Sequence, residues 1–307
     1  MKIVEKIKNI HKSSRMTYGY RRVHVELKEN MEDINHKKVA RLMRENNIFS
    51  KRRIKFKVTT KAAKKAVNID NVLNRNFVTN APNKVWVSYI TYIKTKQGWV
   101  YLCIIIDLFS RRIIGWECSD RINNELVLHT FLKAYWQRKP QKGLMFHSDR
   151  GSQYTSNDLK KVLRNLDVTQ SLSRKANCLD NAVAESCFHT IKQELGRSFT
   201  SRDVANSMIF EYIEAFYNSY RRHSFLNYYS PNNFEMLYYG LYKNDTVLKV
   251  KQKYHHFEGI KLGSKAELFL ITAKQICRSF RIIAAMITIL CLPFDFNLSE
   301  KAFKIGL

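Results

Sequence analysis

The sequence predicts an α/β protein, a mixed sheet flanked by helices and preceded by a small basic helical region. Three observations lead there. From Pro82 onward, three runs of β-branched and aromatic residues follow one another, and short apolar segments then alternate with amphipathic ones. Meandering strands followed by alternating strands and helices describe a mixed sheet. Ahead of them, apolar residues recur at helical spacing. The charge is also uneven: residues 1–70 hold 20 Lys+Arg against 7 Asp+Glu, close to half of the chain's net +27.

In chain order, "YGYRRVHVELKEN" places Tyr20, Val23 and Leu27 at helical spacing, with Arg21, Arg22 and Lys28 on other faces. "INHKKVARLMRENNI" opens with Asn35 as a candidate N-cap and sets Val39, Leu42 and Met43 on one stripe. The short junction "MEDI" between them fits either a helix-turn-helix-like unit or two ordinary amphipathic helices. "SKRRIKFKVTTKAAKK" reads as a basic linker. Lys84–Lys94 and Trp99–Ile106 follow as paired strands, and "RRIIGWECS" as a third. "NNELVLHTFLKAYWQR" is a helix, "GLMFHS" a short buried strand, Asn157–Leu166 a helix and Val168–Leu172 a strand. Asp180 or Asn181 opens the helix "AVAESCFHTIKQEL", and a last amphipathic helix covers Arg202–Tyr220. The segments are thus 1–58 (basic helical), 59–78 (linker), 79–240 (core) and 241–307, an extension expected to pack poorly.

At 307 residues with 45% apolar and 26% charged composition, the chain can bury a core and remain soluble. Its positive excess seeks a polyanion, and nucleic acid is the first candidate. The six cysteines form no C-x-x-C pair, which argues against a zinc site and for a reducing cytoplasm. "MKIVEKIKNIHKSS" is too charged for a signal peptide. The apolar run Ile282–Leu292 falls well short of the ~20 residues of a spanning helix, so no membrane is expected.

Two carboxylates stand out. Asp149 ends an apolar strand in "FHSDRGSQYTS", where Gly151 is expected to let the chain turn sharply and leave the acid at the strand tip. Glu185 lies early in a helix, with His189 and Lys192 on its face at i+4 and i+7. A strand-tip Asp and a helical Glu converging on a sheet edge can hold a divalent cation.

Together with "YGYRRVHVELK", "NHKKVARLMREN", "YLCIIIDLFSRRIIGW", "SLSRKANCLDNAVAESCFHTIKQEL" and "YNSYRRHSFLNYYSPNNFE", these blocks give a specific likeness. From about Tyr18 to Glu235 the chain resembles the insertion-sequence transposases whose catalytic core is related to retroviral integrases. Thirty-five residues separate Asp149 from Glu185, the spacing that names the group, and Lys192 matches its basic residue seven positions after the glutamate. The resemblance implies an RNase H-like core in which two aspartates and a glutamate hold two Mg²⁺ (or Mn²⁺) ions about 3.5–4 Å apart for strand cleavage and strand transfer. It implies phosphate contacts by Lys192, with Arg174 and Lys175 as further candidates. In the helical region Arg21, Arg22, Lys37, Lys38 and Arg41 are candidates for DNA binding. The implied partners are transposon-end and target DNA, further copies of the chain assembled on DNA, and a first-reading-frame product. The implied location is the bacterial cytoplasm at the nucleoid. The chain reads as a second-reading-frame product, and residues 241–307 as an addition to the family pattern.

One position departs from that pattern. The family's first strand reads W-V-T-D-I-T-Y; here Trp86-Val87-Ser88-Tyr89-Ile90-Thr91-Tyr92 puts Tyr89 at the first catalytic aspartate's place. A phenol with pKa near 10 stays largely neutral at pH 7 and is bulkier than the bridging carboxylate it replaces. Impaired catalysis is expected, and two rivals stay open: a non-catalytic DNA-binding protein, or an RNase H-like nuclease on other substrates. A hairpin turn at Lys96-Gln97 would pair Tyr89 with Ile104. Asp107 would then lie about 10 Å along the strand with its side chain on the opposite face, a structural residue.

Overall fold

A computed structural model describes residues 3–51, 69–175, 177–196 and 198–240. The expected extension 241–307 and most of the linker lie outside them. Three helices come first, α1 (Ile3–Ser13), α2 (Tyr20–Glu29) and α3 (His36–Glu45). The strands β1 (Val85–Thr95), β2 (Gly98–Asp107) and β3 (Ile113–Ser119) lead into α4 (Asn124–Arg138). There follow β4 (Met145–Ser148), α5 (Asn157–Asn165), β5 (Thr169–Leu172), α6 (Ala182–Leu195), β6 (Ser198–Phe199), α7 (Arg202–Glu211) and α8 (Pro231–Tyr238). The sheet runs β3-β2-β1-β4-β5, with β6 added beside β1. β1, β2 and β3 are antiparallel; β4, β5 and β6 join in parallel. This is the RNase H-like mixed sheet.

The alternation of each strand divides the core in two. Leu102, Ile104 and Ile106 of β2 face one layer, with Val87 and Ile93 of β1 and Cys187, Phe188 and Ile191 of α6. Cys103 and Ile105 face the other, with Trp86, Phe146 and Phe131. Both sides of β2 are thus sealed, which its unbroken apolar run requires; each fully buried side chain contributes about 1.5–3 kcal/mol. On the second face, a Cβ at Gly115 would lie 2.8 Å from Cβ of Ala134, so glycine lets α4 approach β3 closely.

The N-terminal helices are built as expected and placed less predictably. Asn35 accepts a 2.8 Å hydrogen bond from the Lys37 amide as N-cap of α3. Val23, Leu27 and Val39 are fully buried, in the same apolar layer as the α6 face of the sheet. Arg222 donates to Glu26 at 2.6 Å and also pairs with Glu29, while the Tyr18 hydroxyl accepts from the Arg222 amide at 2.8 Å. The helices and the sheet belong to one compact unit.

Several expectations need correction. Asn181 opens α6 from the cap position as expected, but without a side-chain cap bond and after a 3-10 turn at Cys178–Asn181 that was not expected. The helix expected over Arg202–Tyr220 widens to π geometry at Tyr212–Tyr217, as its aromatic rings are buried. The segment before Pro82 is not free linker where it is described: Leu73 is buried, and the Asp70 carbonyl accepts from the Leu172 amide at 3.1 Å. α1 has Ile3, Ile7 and Ile10 at helical spacing, a signal not singled out above, whereas β6 and α8 are too short to show a period. Among the described residues no helix is long and apolar enough to cross a membrane.

Two buried carboxylates fasten the C-terminal elements. Glu235 of α8 takes both terminal nitrogens of Arg138 at 2.8 Å and Arg112 at 2.9 Å. Glu194 of α6 holds Arg221, each side chain only 6% exposed, and accepts from the Tyr212 hydroxyl at 2.8 Å. Removing one member of such a pair strands the other charge. Glu194→Ala should therefore cost about 3–5 kcal/mol in urea unfolding. A cost below about 1 kcal/mol would show that water reaches Arg221 freely.

Candidate active site

The parallel register of β1 and β4 organises this corner of the sheet. Val85 lies beside Met145, Trp86 beside Phe146 and Val87 beside His147. Val87 and Tyr89 share one face of β1, by the strand's period of two, and Asp149 follows the end of β4 at Ser148. That face is the one α6 covers. The Tyr89 ring lies 5.7 Å from the Phe188 ring, at 53°. Phe188 is three residues, about one helical turn, after Glu185. Tyr89 itself is paired with Ile104, and Asp107 with Trp86.

Asp149 leaves β4 at its tip and accepts a 2.9 Å hydrogen bond from the Gly151 amide. Burial pushes its pKa up from the ordinary carboxylate value, against the pull of that one amide. The role expected of Gly151 was a sharp turn. Its φ is not among the positive ones; a Cβ there would instead lie 3.0 Å from Asp149 Oδ1 and 3.1 Å from Gln153 Oε1. Glycine is needed for space, so that the amide can reach the carboxylate. The loop is tied to β1 by Tyr154, which is 1% exposed and hydrogen-bonded at 2.9 Å to Ser88, the neighbour of Tyr89.

Glu185 is exposed in the first turn of α6, and burial of its surroundings raises its pKa. Two carboxylates whose charged forms are disfavoured suit a cation. Yet among the described residues no group of three His, Cys, Asp or Glu side chains could hold a metal ion. As donor types, Asp149 and Glu185 suit a divalent ion. They do not fit a pair, because a phenol stands where a third acid would neutralise the second ion.

The other candidates are scattered. Lys192 sits with its ammonium 4.6 Å from the Tyr92 ring centroid, and Tyr92 meets Trp99 edge-on at 5.1 Å. Arg174 donates twice to Asp180, and Lys175 beside it is exposed. Arg21 is exposed over Tyr20, while Arg22 is half-buried over Tyr18. Lys37, Lys38 and Arg41 line the exposed side of α3, where Arg41 approaches Glu45 at 3.6 Å. Asp107 is fully buried, accepting from the Asn83 and Phe109 amides at 2.7 and 2.9 Å; burial raises its pKa to about 6.

Asp180 was overlooked as more than a cap. Its carboxylate is fully buried and takes Arg174 from one side, then Arg75 at 2.7 Å and Asn71 at 2.8 Å from the segment before the core. Its carbonyl accepts from His147 on β4 at 3.1 Å. One residue thus ties β4, the 69–77 segment and the start of α6 together. Only the polar cluster "RKANCLDN" hinted at it. The Arg174 side-chain and backbone donors hold the Asp180 pKa well below the ordinary value. A depressed carboxylate stabilises the fold above its unfolded pKa and loses that contribution as pH falls. Asp180→Asn should cost about 2–4 kcal/mol near pH 7, discounted because Arg75 and Arg174 are 40% and 48% exposed. It should also flatten the loss of stability below about pH 4. An unchanged acid limb in guanidinium titrations from pH 2 to 7 would contradict this.

Known proteins share this organisation. Residues 1–56 match the HTH-like domain family, and residues 79–178 and 185–237 match integrase core domain families. The transposase for insertion sequence element IS904 of Lactococcus lactis is 41% identical over 234 residues, 75% of this chain and 92% of the relative. Transposase InsF for insertion sequence IS3A of Escherichia coli K12 is 38% identical over 72% of this chain and 78% of its own. Among solved structures, the HTLV-2 integrase catalytic core domain in complex with magnesium is 17% identical, with a TM-score of 0.37 over 47% of this chain and 92% of that one. An integrase core domain preceded by an HTH-like domain, and two fifths identity over most of a transposase's length, have one meaning: the chain belongs to the insertion-sequence transposases.

Proposed function

We propose that the chain is built to cleave transposon ends and join them to target DNA, and that Tyr89 leaves this copy impaired in both steps. The observation that carries the reading is the place of Tyr89. Two features support it: β1 and β4 pair through Val87 and His147, each two residues before Tyr89 and Asp149, and the Tyr89 ring packs on Phe188, one turn after Glu185. A carboxylate there would complete three acids at one corner, and the ring supplies no comparable charge. A Mg²⁺ or Mn²⁺ ion held by Asp149 and Glu185 would act as a Lewis acid toward a scissile phosphate. The chain's own contribution is to position these acids through Tyr154, Gly151 and Asp180. Lys192 offers a point charge to a backbone phosphate beside them.

The basic side of α3, with Lys37, Lys38 and Arg41, supports DNA engagement that does not depend on chemistry. The second reading is therefore a DNA-binding protein that occupies transposon ends without cutting them. Under either reading the partners are DNA ends, target DNA and further copies of the chain. A first-reading-frame product is an additional partner under the same proposal.

Tyr89→Asp separates the two readings. With Mg²⁺, the substituted chain should cleave and join oligonucleotide ends at least ~100-fold faster than the unmodified one, since a completed metal site supplies several kcal/mol. Glu185→Gln in that background should abolish the gain. Equal rates for the unmodified and Tyr89→Asp chains would refute impairment. DNA binding by both without cleavage by either would favour the second reading.

A further inference from the structure

A cleft of about 640 Å³ opens between the N-terminal helices and α6. Ser186, Thr190 and Gln193 line its α6 side; at i, i+4 and i+7 they share a face distinct from that of Phe188. Arg22, Lys51, Arg111 and Arg221 also line it, against the single carboxylate of Glu194. Arg221 is already held by Glu194 through both oxygens. Arg22, Lys51 and Arg111 carry the surplus charge, the Lys51 ammonium donating to the Glu194 carbonyl at 2.7 Å.

Arg111 is 9% exposed, its guanidinium carbon 4.1 Å from the Phe225 ring centroid. One terminal nitrogen donates to the Phe77 carbonyl at 2.8 Å. The other, Nη1, is buried without a hydrogen-bond partner among the described residues. A buried cationic donor left unsatisfied is costly, which marks a place where an acceptor belongs. Arg22 reaches the cleft from α2 across the Tyr18 ring, 5.5 Å from its centroid. Ala182 and Val183, the opening residues of α6, line the same space. His223 reports the local field: burial and the nearby Arg221, Arg22 and Arg111 hold its pKa well down.

We propose that this cleft binds a backbone phosphate of a DNA strand through Arg22 and Arg111, a site distinct from the Asp149–Glu185 corner on the same helix. This rests on the DNA-handling reading above. Ser186 follows Glu185 directly, so a strand anchored in the cleft can pass along α6 toward the acids. The guanidinium forks suit a phosphate, which presents several acceptor oxygens at once.

The test compares the unmodified chain with Arg111→Gln and Arg22→Gln in single-stranded DNA binding by fluorescence anisotropy across a salt series. Thermal unfolding with and without pyrophosphate runs in parallel. Each substitution should lower affinity about tenfold and reduce the slope of log K against log salt by about 0.7. Arg22 is half-buried at the surface, so Arg22→Gln keeps the test decisive should Arg111→Gln fold poorly. Unchanged slopes in folded variants would overturn the proposal. If no version binds DNA, the DNA-handling reading fails separately, and pyrophosphate decides. Stabilisation of the unmodified chain that Arg22→Gln loses would retain the cleft as a phosphate site with a free phosphate as its source; no stabilisation would overturn it.

Discussion

The pairing of β1 with β4 is the constraint on which the candidate site depends. β1 pairs with β2 over its whole length, leaving its other edge for β4 at the start and β6 at the end. The side-chain period of a strand is two, so a one-residue slip would turn Tyr89 away from α6 and force Val87 into the opposite layer. Such a slip is opposed by both apolar layers at once, since Trp86 and Val87 are each buried on opposite faces. The register is therefore set by the core, and the site inherits its geometry from packing.

The carboxylates of the chain divide into two kinds by their electrostatics. Asp180 and Glu235 are buried against arginines, and hydrogen bonding pulls both pKa values down. Glu194 is likewise enclosed with Arg221. Breaking such pairs is destabilising because the remaining ion keeps its desolvation cost. Asp149 and Glu185 behave oppositely, as burial raises both pKa values. Asp107 shows that a raised pKa alone does not mark a site: it is enclosed with Arg138 at 3.5 Å and amide donors in a structural corner. Position on the sheet, together with electrostatics, makes the distinction.

α6 joins these themes. One face packs Phe188 against Tyr89, and another lines the cleft facing the N-terminal helices. Its C-terminal turn carries Glu194, while its entry is fixed by Asp180. A shift of this helix would disturb the acids, the cleft and the buried ion pair together. The N-terminal helices share its apolar layer, so they brace the same element.

Much was legible locally. The turn at Lys96-Gln97 and the alternation of the flanking runs specified that Tyr89 pairs with Ile104, because hairpin register follows from turn position and period. The Asn35 cap was legible for the same reason, since its partner is two residues away. The Asp149–Glu185 spacing and the substitution at position 89 were visible as motif and departure. Tertiary structure decided what distant segments do to one another. Asp180 looks like a helix cap until Arg75, 105 positions away, arrives beside it. Arg111 reads as one more basic residue until Phe77 and Phe225 enclose it and leave one nitrogen unsatisfied. Short-range geometry is written in neighbouring residues; burial and charge compensation exist only once remote parts of the chain have met.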